Sequence, residues 1–409
     1  MITGRADCGL QYAVRRSGNA VGYCSLTIKC GTRDEEGFHS GIAHFTEHTI
    51  FKGTAHKSAR VINNYLDRLG GELNAFTTKE EIVLHATVLK EDLSKAASLL
   101  LELATCPVFP EEEVEIERGV VIEEISSSKD APADDIYDQF EGELFEGHPL
   151  GRSILGTAGS VRKISCKELG KFVREHFTPE NMVLAVVADI PEKKMETSVL
   201  RLAGKVFDGS ASESVPREIR PVGRIPVFHK RIDKKNHEVN AVIGSTAPSL
   251  FDGQDRIATV LLNNIIGGPA SNSLLNDLLR EKNGWVYGVE SSYSQYTEAG
   301  ILAISLGCDR CNLDKCLDAV GKVVSRMKET PLSDSTLKAA KKQLLGQLAI
   351  SSDNGETQCL SMGKSMLTFG RIWSDEENVA AIESVTAGKV QELACRIFMQ
   401  DKVSSLVFL

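Results

Sequence analysis

No apolar run in this 409-residue chain approaches the roughly 20 residues that cross a bilayer. The opening stretch MITGRADCGLQYAVRRSG has no signal-peptide core, so a cytoplasmic location without a membrane partner is expected. An excess of basic charge is also missing: 47 Lys+Arg against 56 Asp+Glu leaves 47 − 56 = −9. That balance speaks against nucleic acid as a partner and suits a basic peptide. Paired cysteines are missing as well. The ten are scattered, and in a long chain without a secretory signal they read as reduced thiols. Cys308 and Cys311 in CDRC have metal-ligand spacing, with Cys316 close by, but no second pair accompanies them. What remains is ordinary globular material, 42% hydrophobic and 25% charged, long enough for two or three domains.

Histidine is scarce, with nine in the chain, yet GIAHFTEHTIFKGT (41–54) holds two of them four apart with a carboxylate between. The flanks GFHSG and FKGTAHKS read as loops, which leaves a short helix between them. At helical spacing His44, Glu47 and His48 share one face, with Cβ atoms about 5–6 Å apart. Both imidazoles can then reach one metal ion while the glutamate stands beside them. The order is H-x-x-E-H, the reverse of H-E-x-x-H. The alternative is a half-buried helix whose histidines each bond a backbone carbonyl, and a third ligand decides between the two.

Catalytic zinc usually takes three protein ligands and keeps a fourth position open. PEEEVEIERGVVIEEISSS (110–128) supplies the candidate. Its acidic first turn after Pro110 suits a helix N-terminus, and Val114, Val120, Val121 and Ile125 are expected to form an apolar face. Glu117 and Glu124 are seven apart, on the side of Val114 and Val121, whereas Glu123 points elsewhere. A carboxylate in an apolar face is costly unless a cation compensates it. Glu124 is therefore the expected third ligand, with Glu117 bonding or orienting a ligand from behind. The competing reading is a solvated acidic helix.

Together these residues resemble the inverted-zincin peptidases of the pitrilysin and mitochondrial-processing-peptidase family. There, H-x-x-E-H is followed at a fixed interval by a glutamate on a second helix, itself preceded seven residues earlier by another. The interval here, 124 − 48 = 76 residues, is similar to the family spacing, and ERGVVIEE resembles its second-helix segment. GGELNAFTTKEEIVLHATVL (70–89), GHPLGRSILGT (147–157) and FTPENMVLAVVAD (177–189) extend the likeness over most of the chain.

DGSASESVPREIRPVGRIP (208–226), rich in Ser, Pro, Gly and charge, reads as a linker. It divides the chain into an expected zinc-binding module, 1–207, and a second module, 227–409. The halves echo each other weakly. VLKEDLSKAASLLLELATCP and its following acidic helix compare with CNLDKCLDAVGKVVSRMKETP and LSDSTLKAAKKQLLGQL, with Gln347 falling near the place of Glu124. ATVLLNNIIGG (258–268) has no H-x-x-E-H, so one Zn²⁺ per chain is expected, in the first half.

GGPASNSLLNDLLREKNGWVYGVESSYSQY (267–296) predicts a helix from Ser271 to about Lys282, then a strand. It resembles the family's second conserved site, in which an arginine and a tyrosine seven positions later hydrogen-bond the substrate carbonyl. Arg280 and Tyr287 match that spacing; by themselves they would be a helix-end arginine and a half-buried tyrosine. Trp285 departs from the family's small or aliphatic residue and would narrow the site or add an aromatic subsite, while Pro269 and Asn272 depart from its glycine- and serine-rich consensus and bear on the local backbone geometry.

The expected chemistry follows. Zinc on His44, His48 and Glu124 would lower the pKa of its water to about 7, with Glu47 as general base against a peptide bond. In the family, GELNAFTT (71–78) is an open sheet edge onto which an extended peptide adds, so Asn74, Ala75 and Phe76 are candidate substrate contacts. The resemblance implies an α+β fold of two tandem homologous modules, each a mostly antiparallel sheet covered by helices. They would close as a clamshell around a chamber for short or unfolded peptides, in a homodimer. The alternatives are a non-catalytic, peptide-binding subunit of a heteromeric processing peptidase and, more remotely, a small-molecule lyase built from one such module.

Overall fold

A computed structural model describes residues 1–207, 216–223, 225–235 and 237–409; the linker positions 208–215 and 224 lie outside the described residues. Among the described residues, eleven strands form two sheets. The first contains β1 (Ile2–Arg5), β2 (Gln11–Arg16), β3 (Val21–Ile28), β4 (Glu72–Thr77), β5 (Ile82–Leu89) and β6 (Met182–Ala188), in the order β1-β2-β6-β3-β5-β4. The second contains β7 (His229–Ile232), β8 (Val239–Ala247), β9 (Val286–Gln295), β10 (Gly300–Cys308) and β11 (Ser404–Phe408), in the order β7-β11-β8-β10-β9. All neighbours are antiparallel except β2 with β6 and β7 with β11. Each sheet is therefore mostly antiparallel, as the family resemblance implies. No helix among the described residues is long and apolar enough to cross a membrane.

Among the helices are α1 (Ile42–Thr49), α2 (Leu93–Thr105), α3 (Glu111–Lys129), α4 (Pro132–Leu144), α5 (Cys166–His176), α6 (Glu192–Val206), α7 (Gly253–Gly267), α8 (Leu313–Glu329), α9 (Asp334–Asp353), α10 (Gly355–Phe369) and α11 (Ala387–Ile397). One face of the first sheet packs on α1, α2, α3, α5 and α6 through residues such as Phe45, Leu100, Val121, Phe172 and Val199. One face of the second packs on α7, α8, α9 and α11 through Leu261, Val320, Leu344 and Leu393.

The opposite faces are covered in a way the sequence division does not anticipate. Helix α10, from the C-terminal half, lies on the first sheet through Cys359, Met362 and Met366 against Ala13, Val183, Ala185 and Val187. Helix α4, from the N-terminal half, lies on the second sheet through Ile136, Phe140 and Leu144 against Val242, Ile301, Leu406 and Phe408. The chain accordingly forms two compact units: Met1–Ser126, Arg152–Arg217 and Ala349–Ile372 in one, Ser127–Gly151, Glu218–Leu348 and Trp373–Leu409 in the other. Covered on both faces, β6 is buried at every residue, which is why MVLAVVA is continuously apolar rather than alternating. Bare backbone lets α10 sit close, since a Cβ at Gly363 would lie 2.4 Å from Thr27 Oγ1.

Candidate metal centre

Helix α1 begins abruptly because a buried carboxylate caps it. Its N-cap Gly41 has no side chain and stands at φ +89°, where any Cβ would lie 2.7 Å from the carbonyl oxygen of Leu155. Glu35 takes the capping role instead, accepting the backbone N–H of Gly41 at 3.1 and 3.0 Å and that of Ala43 at 3.0 Å. Burial pushes the Glu35 carboxyl up to about 8, against the pull of those N–H bonds.

His44, Glu47 and His48 emerge from α1 on one side, and α3 crosses that side with Glu117 and Glu124. Arg118 holds the two helices together. Its guanidinium donates to the carbonyls of Val161 and Ile164, the latter at 2.9 Å, and stacks 5.2 Å from the centroid of the Phe45 ring. Along α3, Val114, Glu117, Val121 and Ile125 are buried. Val120, expected on that apolar face, is instead 48% exposed. Neighbouring positions 120 and 121 differ by 100° around a helix, so both cannot face the core.

Among the described residues, His44, His48 and Glu124 form the one cluster of three or more donors able to share a metal, all within 4.8 Å of one another. The Nε2 atoms of His44 and His48 lie 3.6 and 3.4 Å from Glu124 Oε2. A tetrahedral ion with bonds of about 2.0–2.2 Å sets its ligands about 3.4 Å apart, so this donor set fits zinc. Neither imidazole takes the plain structural alternative of a backbone carbonyl. His48 Nδ1 lies 2.9 Å from Glu117 Oε1, while His44 Nδ1 is buried with no hydrogen-bond partner.

Burial and the close approach of these groups set their electrostatics. Burial and the adjacent His48 draw His44 down to about 4. Burial pulls His48 down too, but hydrogen bonds with Glu124 and Glu117 outweigh it and raise it. Glu124 is lowered, chiefly by His48. Glu47 is raised by burial, although Thr77 Oγ1 donates to its Oε2 at 2.7 Å.

Thr77 ends β4, which is an edge strand of the first sheet. Its residues alternate between the two faces. Ala75 is on the side of α1 with Leu73 and Thr77, whereas Asn74 and Phe76 share the opposite face with His85, whose ring centroid lies 6.0 Å from that of Phe76. Of the three expected substrate contacts, one therefore faces the α1 side.

Arg280 and Tyr287 belong to the other unit and are exposed, Tyr287 at 61%. The expected helix from Ser271 is π-helical over Asn276–Lys282 and stops at Gly284, φ +59°. The Tyr287 hydroxyl donates to Asp309 Oδ1 at 2.8 Å. Glu35, Lys52, Thr77 and Arg118 were not singled out in the sequence, and Thr77 was the most accessible of them, standing two positions after Ala75 on the same strand face.

Residues 12–158 match the family described as "Insulinase (Peptidase family M16)", and residues 163–344 match "Peptidase M16 inactive domain". An uncharacterized zinc protease of Streptomyces coelicolor is 31% identical over 371 residues, covering 89% of this chain and 80% of that protein.

The chain belongs to peptidase family M16.

A second M16 relative, the uncharacterized zinc protease YmxG of Bacillus subtilis, is 30% identical over 93% of this chain and 91% of its own length. The crystal structure of a protease from Helicobacter pylori superposes with a TM-score of 0.91 at 19% identity, covering 100% of this chain and 98% of that one. A peptidase M16 inactive domain from Pseudomonas fluorescens gives 0.90, also at 19%. These two likenesses concern the fold. The Streptomyces and Bacillus relatives are both named zinc proteases, and the match of 163–344 to an inactive domain agrees with a donor cluster that, among the described residues, lies in the first unit.

Proposed function

We propose that the protein is a zinc-dependent endopeptidase acting on extended, unstructured peptides. The reading is carried by one observation: two imidazole nitrogens and a carboxylate oxygen spaced as a tetrahedral zinc site requires, with a further carboxylate beside them. His44 and His48 through Nε2, and Glu124 through a carboxylate oxygen, would hold one Zn²⁺ per chain. Bound there, zinc would act as a Lewis acid, polarising the scissile carbonyl and acidifying water. Glu47 is the proton carrier. Thr77 fixes its Oε2 and leaves Oε1 to take a proton from attacking water and pass it to the leaving amine. Burial raises this carboxyl toward the range in which it can do both.

Orientation falls to β4. An edge strand pairs with an extended peptide through main-chain groups, which favours unfolded substrates and tolerates many sequences. Arg280 and Tyr287 are assigned to the substrate carbonyl on the family resemblance. The homodimer and the cytoplasmic location are proposed with them. A non-catalytic subunit is the weaker reading because the donor set and Glu47 are all in place.

The test is cleavage of an internally quenched, unstructured basic peptide, with chelator, with zinc restored, and with Glu47→Gln. Chelator-sensitive cleavage that returns with zinc and is lost in Glu47→Gln is expected. Cleavage that survives the chelator, or equal activity in the variant, overturns the proposal.

A further inference from the structure

The two imidazoles of the centre are not equivalent. Among the described residues, the buried Nδ1 of His44 has no hydrogen-bond partner. Behind His48 stands a chain of two charged groups. Its Nδ1 meets Glu117 Oε1 at 2.9 Å, and the other oxygen of that carboxylate lies 2.5 Å from Lys52 Nζ. Glu117 is the more enclosed of the pair, its side chain 9% exposed against 21% for Lys52.

Lys52 is held in place by its own backbone. Helix α1 runs straight into a 3-10 turn, Ile50–Lys52, and the carbonyl of Gly53 then accepts the N–H of Val108 at 3.0 Å. Thr54 closes the segment, donating to Glu102 Oε1 at 2.5 Å and accepting the N–H groups of His56 and Lys57. The ammonium group thus reaches Glu117 from a fixed base, one turn beyond His48.

We propose that Lys52 is a positioning residue for the metal centre: by engaging one oxygen of Glu117 it commits the other to His48 Nδ1, which holds the ring in its Nδ1–H tautomer with Nε2 bare. An imidazole can bind a metal through Nε2 only in that tautomer, and the partner at the far nitrogen selects it. A buried carboxylate also needs a cation, and Lys52 supplies it without drawing on the metal. The centre then has one fixed imidazole, His48, and one set by packing alone, His44. This rests on the reading that His44, His48 and Glu124 bind zinc.

The test compares Lys52→Met and Lys52→Gln, both uncharged, with Lys52→Arg, which keeps the cation. Zinc affinity of the purified, metal-free proteins is measured by competition with a chromophoric chelator. Nitrogen-15 NMR reads the His48 tautomer with no metal present, at alkaline pH where the ring is neutral and has one N–H to place. The uncharged variants should bind zinc about 10–100-fold more weakly and show mixed tautomers, while Lys52→Arg keeps most of the affinity and a single tautomer. Unchanged affinity in either folded uncharged variant, or weaker binding with His48 still wholly Nδ1–H, overturns the proposal. A wild-type protein that binds zinc but cleaves no peptide would sink the peptidase reading and leave this one standing. If the wild type binds no zinc, the tautomer comparison still decides the role of Lys52.

Discussion

The two units repeat one topology and differ in chemistry. Remove β1, and the first sheet's order β2-β6-β3-β5-β4 matches β7-β11-β8-β10-β9, with the single parallel pair in the same place. A hydroxyl bridge joins edge strand to helix in both: Thr77 to Glu47 at 2.7 Å, Ser291 to Asn263 at 2.6 Å. With Asn263 in the place of Glu47, Val260 and Asn264 stand where the first unit has His44 and His48. The long helices tell the same story. Helix α3 starts at Glu111 and α9 at Asp334, a shift of 334 − 111 = 223, which sets Ala340 against Glu117 and Gln347 against Glu124. The same shift sets Lys341 against Arg118. Lys341 Nζ donates to the carbonyl of Glu383 at 2.6 Å, just as Arg118 serves those of Val161 and Ile164. The cation that fastens the helix is present in both units, while the groups that would hold and use a metal are present in one.

Four experiments break or sharpen this comparison. The largest effect is expected from the two equivalent polar residues on α1 and α7. Glu47→Gln should lower kcat by about 10²–10⁴-fold, the usual weight of a general base, whereas Asn263→Asp should leave it unaltered. Metal analysis should return one zinc per chain, and two would end the distinction between the units. Next come the fastening cations. Arg118→Met and Lys341→Met should each cost about 1–3 kcal/mol in denaturant unfolding, through carbonyls left without donors. Only the first should also weaken zinc binding, because only α3 carries a ligand. The smallest effects separate glycines. Gly363→Ala forces a Cβ into Thr27 and should destabilise by about 1–3 kcal/mol. Gly119→Ala on α3 and Gly346→Ala on α9 meet nothing within 4 Å and should stabilise by up to about 1 kcal/mol, read as higher melting midpoints.

What could be read from the sequence was what repeats at short range. Helical spacing is enough to put His44, Glu47 and His48 on one face, and the seven-residue step pairs Glu117 with Glu124 on another. The alternation of GELNAFTT gives a strand, though not that Asn74 and Phe76 face away from α1. Lys52 and Arg118 escaped because a lone cation in sequence carries no sign of the carboxylate or carbonyl it meets 65 and 43 positions away. The helix exchange escaped for a related reason. An amphipathic segment such as 355–369 announces that it will cover something, but its pattern does not say which sheet.

That exchange fixes a timetable for synthesis. The last strand of the first sheet ends at Ala188, yet the helix that covers its second face begins at Gly355, 355 − 188 = 167 residues later. At about 5–20 residues per second, the apolar face around Val183, Ala185 and Val187 waits roughly 10–30 s for its cover. The second sheet has no such delay, since α4 has left the ribosome before β7 is made. The first unit is therefore the first to be started yet waits for its own last segment, Ala349–Ile372, to be covered, and a chain released before residue 355 would carry every expected zinc ligand on a sheet still open to aggregation.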